Sequence, residues 1–254
     1  MMASKNLKNN PWIHQVRENP SAKIRLFCFP YSGATASTFF PWAEILPPVI
    51  EVCPVQYPGH GNRMGESLNH RIEFLVEQAI QAFQDSFDKP YITFGHSLGA
   101  LFSFELLRAI RSRGYPQPKT MFVSGHGAPH QPDPNPPIHQ LPNNEFIQTL
   151  KDLNGMTGEF FENQELMEML IPVLRADFEI CDFYQYHDDA PFNFPISAYG
   201  GLMDPYVHRS DLNAWQKHTT GEFTVRMFPG DHFYLNSSRL YLLQMIARDS
   251  FSLI

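Results

Sequence analysis

Residues 91–107, YITFGHSLGALFSFELL, pass from a β-rich apolar run to a helical one through a Gly-x-Ser-x-Gly pentapeptide. The strand and the helix after it must turn on a single residue. Ser97 therefore takes a strained backbone conformation, and Gly95 and Gly99 leave room for strand and helix to pass closely. The hydroxyl then stands at a helix N-terminus, where the positive end of the dipole and a free amide favour developing negative charge. The pentapeptide alone is common. Its place between strand and helix makes Ser97 a candidate nucleophile rather than an idle residue in a tight turn.

The rest of the chain repeats the strand–helix rhythm. Short apolar runs at 23–29, 49–57, 91–95, 120–125, 195–201 and 223–228 alternate with helical patterns at 71–87, 99–113, 208–217 and 237–249. In the first helix Ile72, Leu75, Val76, Ala79, Ile80 and Phe83 fall on one stripe. Strands that read as nearly continuous apolar runs, alternating with helices, predict an α/β fold with a mostly parallel central sheet flanked by helices. One segment breaks the rhythm, opening with the Pro-rich APHQPDPNPPIHQLP (128–142) and continuing into helical patterns at 143–153 and 164–186. Leu166, Met169, Leu170, Val173 and Leu174 form a stripe in the second, where Pro172 is expected to kink the helix. We read residues 1–254 as one domain and 128–190 as a helical lid inserted over the C-terminal edge of the sheet, where ligands bind in such folds. The plainer alternative is extra packing on the side of the domain.

A serine hydroxyl needs a base, and the base an orienting acid. In chain order the acid and then the histidine follow the serine. His232, in FTVRMFPGDHFYL, is the histidine placed in a loop after the last strand, lifted off the sheet by Pro229-Gly230. His126 also ends a strand, but it precedes the lid rather than following the acid. Asp204, in ISAYGGLMDPYV, ends the preceding strand after a Gly-Gly turn, between Ser97 and His232 in sequence. Asp211 falls in a helix, Asp189 before the strand, and Asp231 beside His232. The small residues of FCFPYSGATAS, after the first strand, suit a second oxyanion donor, so the Ser32 amide is expected to pair with that of Leu98.

Composition closes several other roads. A net charge of −7 argues against nonspecific nucleic-acid binding. Cys28, Cys53 and Cys181 lie far apart and outside any CxxC pair, so neither a metal site nor a disulfide framework is expected, and Cys28 and Cys53 read as buried thiols. No span approaches membrane length, and MMASKNLKNNPWIHQVRENP holds no apolar core for an export signal; the expected compartment is the cytoplasm.

Together, RLFCFPYSGATAS, VQYPGHGNR, GHSLGALFSFEL, PIHQLPNNEFIQTL, LRADFEICDFYQY, PISAYGGLMDPYV, Trp215 and FPGDHFYL resemble the type II thioesterases of nonribosomal peptide and polyketide synthesis. The likeness runs in order from about residue 23 to 246 and includes the insertion, in which Leu174 to Phe178 belong to the lid. It implies an α/β-hydrolase fold, with Ser97 as nucleophile, Asp204 as acid, His232 as base and the Ser32 and Leu98 amides as the oxyanion hole. No cofactor is implied. The implied substrate is an acyl thioester on the phosphopantetheine arm of a carrier protein or carrier domain, cleared to edit a stalled synthase. Release of a finished product, a general carboxylesterase or lipase on the same fold, and a binding module with a relic triad are the alternatives. The chain departs from the family pattern at Gly230-Asp231, before the histidine, and at Pro58-Gly59-His60, where His60 is expected near the pocket mouth.

Overall fold

The structure is a computed structural model and describes residues 7, 10–14, 19–133, 135–153, 155 and 158–251. Much of the stretch read for an export signal, and residues 134, 154, 156 and 157 of the lid segment, lie outside the described residues. Six strands form one sheet: β1 (Ile24–Phe29), β2 (Ile50–Pro54), β3 (Tyr91–His96), β4 (Met121–Ser124), β5 (Ile196–Gly201) and β6 (Phe223–Phe228). Their order is β2-β1-β3-β4-β5-β6, and every neighbouring pair is parallel. The expected strands are thus all present, most of them one to several residues shorter than their apolar runs.

Alternation within β1 explains why both faces must be covered. Phe27 and Phe29 enter one core with α2 (Ile72–Phe83) and α3 (Leu98–Ser112), while Ile24, Leu26 and Cys28 enter the other. That second core holds Trp42 of α1 (Trp42–Ile45) and, from α9 (Arg239–Phe251), Leu242, Leu243 and Ile246. All six residues of the expected α2 stripe are buried, whereas Phe74, off the stripe, is exposed. Each such apolar side chain taken out of water contributes about 1.5–3 kcal/mol before entropy is counted.

Between β4 and β5 lie α4 (Asn143–Asp152), α5 (Gly158–Glu162) and α6 (Gln164–Asp182). They have a small core of their own, in which Phe146, Leu150, Phe160 and Leu174 are buried. The α6 helix is capped by the Asn163 side chain on the Leu166 amide and runs through Pro172. Met169 leaves the expected stripe and is half exposed. Arg175 and Asp182 fasten the Pro-rich approach to α6. The Arg175 guanidinium donates to the carbonyls of His139 and Leu141 and lies over the Phe146 ring, and Asp182 accepts from the amides of Ile138 and His139. The chain then closes with α7 (Arg209–Asn213), β6, α8 (Tyr234–Ser237) and α9. Among the described residues, no helix is long and apolar enough to cross a membrane.

The strand order reverses between β1 and β3. Connections leave in opposite directions there, and the carboxyl ends at such a point are the usual ligand position in parallel sheets. Ser32 and Ser97 both lie just beyond those two ends.

Candidate active site

Ser97 has φ 52° and ψ −121°, the one positive φ at a non-glycine among the described residues. Such a conformation costs about 1–3 kcal/mol and persists only where its surroundings enforce it. Here the Ser97 amide donates to the Ser124 carbonyl at 2.8 Å, and α3 begins on the next residue. The close approach expected of the glycines is real. A Cβ on Gly95 would fall 2.2 Å from the Gly99 carbonyl oxygen, and one on Gly99 would fall 2.1 Å from that of Phe29.

Asp204 and His232 are both buried, and Asp204 Oδ2 lies 2.7 Å from His232 Nδ1. A carboxylate only accepts, so Nδ1 donates and the Nε2 lone pair is left for another proton. The other carboxylate oxygen accepts from the amides of Tyr206 at 2.9 Å and Val207 at 3.2 Å. Burial alone would push the Asp204 carboxyl up, but the His232 hydrogen bond and charge and the two amides hold it below the usual aspartate value. The rival carboxylates have other work. Asp211 caps α7 through the His208 amide, Asp189 pairs with Arg108 and Arg111, and Asp231 accepts from the Phe233 amide.

His232 lies against Gly125 and His96. Gly125 has φ 58°, and a Cβ there would lie 2.6 Å from His96 Cε1 and 3.2 Å from His232 Cε1. The His96 and His232 ring centroids are 5.0 Å apart. His96 itself is buried, with Nδ1 on the Ser124 hydroxyl, which also meets the Tyr234 hydroxyl. Desolvation and the neighbouring His232 push the His96 imidazole well below its ordinary value. Sequence reasoning passed over His96, although its place before Ser97 was a usable signal. His126 also titrates low through burial, and its Nδ1 donates to the Gly127 carbonyl.

The loop after β1 makes a turn in which the Ala34 amide donates to the Tyr31 carbonyl, with Gly33 at φ 74°. Ser32 occupies its second position, on the same edge of the sheet as Leu98, the first residue of α3. His60 is buried and turned toward Asp177 of α6. Cys28 and Cys53 are buried thiols, and burial raises both. Among the described residues, no three His, Cys, Asp or Glu side chains are grouped to hold a metal ion.

A parallel sheet with a strained serine between strand and helix, and a carboxylate–imidazole pair on later loops, is an α/β-hydrolase. The chain belongs to the thioesterase domain family, whose model matches residues 24–249. It is 42% identical to the gramicidin S biosynthesis protein GrsT of Aneurinibacillus migulanus, covering 94% of this chain and 93% of that one. Among solved structures it resembles the thioesterase RedJ from the prodiginine pathway of Streptomyces coelicolor. That match has a TM-score of 0.86 and 36% identity over 91% of this chain and 92% of that one. It also resembles the type II thioesterase BorB from the borrelidin cluster, with a TM-score of 0.87 and 34% identity over 96% and 99%.

Proposed function

We propose that this chain clears misprimed or stalled acyl groups from a nonribosomal peptide or polyketide synthase, by hydrolysing acyl thioesters on the phosphopantetheine arm of a carrier protein. The observation that carries this reading is the 2.7 Å Asp204–His232 contact beside the strained Ser97 elbow. The named pathways of the relatives supply the substrate class.

In this reading His232 Nε2 takes the Ser97 proton as the hydroxyl oxygen attacks the thioester carbonyl. Asp204 holds the tautomer and stabilises the imidazolium. The amides of Ser32 and Leu98 receive the oxyanion; losing one such donor costs about 3 kcal/mol in comparable sites. Collapse expels the phosphopantetheine thiol and leaves an acyl-Ser97. Water then attacks with His232 again as base, and breakdown frees the acid and restores the hydroxyl. Each proton passes through His232, so the scheme uses neither metal nor organic cofactor. Residues 1–254 act as one domain, with 128–190 as its lid, in the cytoplasm where synthases work.

Two measurements test the reading. Ser97→Ala is expected to abolish hydrolysis of an acyl-carrier thioester, followed by mass spectrometry of the carrier; full activity would end the serine mechanism. Wild type is expected to cleave that thioester faster than a p-nitrophenyl ester of equal chain length, and the reverse order would make it a general carboxylesterase.

A further inference from the structure

One polar contact outside the triad ties the lid to the loop that carries Ser32. Asp177, on α6, is 3% exposed, and its Oδ2 accepts from the Gly33 amide at 2.7 Å. The same oxygen lies 2.9 Å from His60 Nε2, while His60 Nδ1 lies 3.0 Å from the Pro58 carbonyl oxygen. A carbonyl and a carboxylate both only accept, so both ring nitrogens must donate and His60 is an imidazolium. Its titration agrees: burial opposes the charge, but the Asp177 charge and hydrogen bond outweigh it and raise His60 above its ordinary value. Asp177 is thereby satisfied by a cation and a backbone amide in a site that excludes water, as a buried carboxylate must be.

The contact matters for what it holds. Gly33 follows Ser32 in the turn. On the far side of Ser32 the Tyr57 hydroxyl donates to the Pro30 carbonyl at 3.2 Å, and further on Gln56 Oε1 accepts from the Ala36 amide at 3.0 Å. The peptide group that follows Ser32 is therefore gripped by the lid, and the one that precedes Tyr31 by the body of the domain, both from outside the loop. We infer that Asp177, with His60 as its counter-ion, is a positioning residue that aims the Ser32 amide at the oxyanion, so the site is complete only while α6 is seated. This rests on the oxyanion role given to Ser32 above. Lifting the lid withdraws the acceptor at Gly33 and leaves the Asp204–His232 pair untouched, which separates substrate entry from catalytic competence.

The test uses the full chain carrying Asp177→Ala, which removes the acceptor at Gly33, with a soluble acyl-N-acetylcysteamine thioester as substrate. A trifluoromethyl ketone, which forms a hemiketal oxyanion with the serine, serves as the transition-state probe. A misaimed amide is expected to lower kcat by up to about a hundredfold and to weaken the ketone by the same factor, while KM stays within about twofold. Unchanged kcat, or a loss confined to KM with the ketone unaffected, would mean that Asp177 only packs the lid and would overturn the inference. If Asp177→Ala does not fold, as judged by its melting transition, His60→Gln carries the same test, because it removes the cation and keeps a donor. Ser97→Ala runs alongside. Full activity there would refute the serine reading itself, whereas an inert Ser97→Ala beside a fully active Asp177→Ala would refute this inference alone.

Discussion

His232 has two ring nitrogens, and the one that faces Asp204 decides what the other can do. With the carboxylate accepting from Nδ1, Nε2 is a base; with an amide nitrogen there instead, Nδ1 becomes the acceptor and the ring proton moves to Nε2. Asp204→Asn makes that exchange at nearly constant volume and keeps an oxygen for the Tyr206 and Val207 amides. We therefore expect kcat to fall on the order of 10⁴-fold, from the wrong tautomer rather than from lost structure. The melting temperature should move little by comparison. Steady-state kinetics beside a thermal melt check this, and a variant that keeps full kcat would remove Asp204 from the mechanism.

The loops at the C-terminal edge hold together through pairs far apart in sequence, and the share that α6 has in this depends on pH. His60 is flanked by Asp177 from α6, by Arg63 from the turn that follows it and by the Tyr57 ring from the loop after β2. Its folded pKa is raised, so its contribution to stability is complete below the unfolded value of about 6.5 and is lost as pH rises through the folded value. The gap in urea midpoint between wild type and His60→Gln should therefore be widest near about pH 6 and narrow toward about pH 9. A gap that holds constant across that range would mean the imidazolium is not what stabilises the seat of α6. The same contacts show where the sequence stops being readable. Strands β1 to β5 were legible because a strand buried on both faces is an apolar run, and the half-buried β6 because Phe223, Val225, Met227 and Phe228 still mark it. Ser97, Asp204 and His232 were legible as candidates because each follows a strand end. Helices α1, α5 and α8 are four or five residues long, too short to show a helical period. Asp177 was hidden differently: between Leu174 and Phe178 it reads as a polar position on a helix, and its partners are 117 and 144 residues away. Nothing local marks such a pairing, since only the closed fold brings the three segments together.

For the whole molecule the relevant quantity is charge. The chain carries −7, and the carrier domains proposed above as its partners are generally acidic too. Their encounter is therefore opposed at long range, over a screening length of about 30 Å at 0.01 M salt but only about 8 Å at 0.15 M. What draws them together must act at short range. The turn that bears Asp204 offers Leu202 and Met203, 65% and 70% exposed, at the same edge of the sheet as the candidate triad. Apolar contacts of that kind are not weakened by salt, whereas paired charges are. Added sodium chloride should accordingly raise kcat/KM for an acyl-carrier substrate and leave that for an acyl-N-acetylcysteamine thioester flat, because the small thioester has no net charge to screen. Stopped-time mass spectrometry of the carrier across a salt series gives the comparison directly. A fall in kcat/KM for the carrier with rising salt would mean that a local basic patch governs docking in spite of the net charge, and the short-range account would have to be given up.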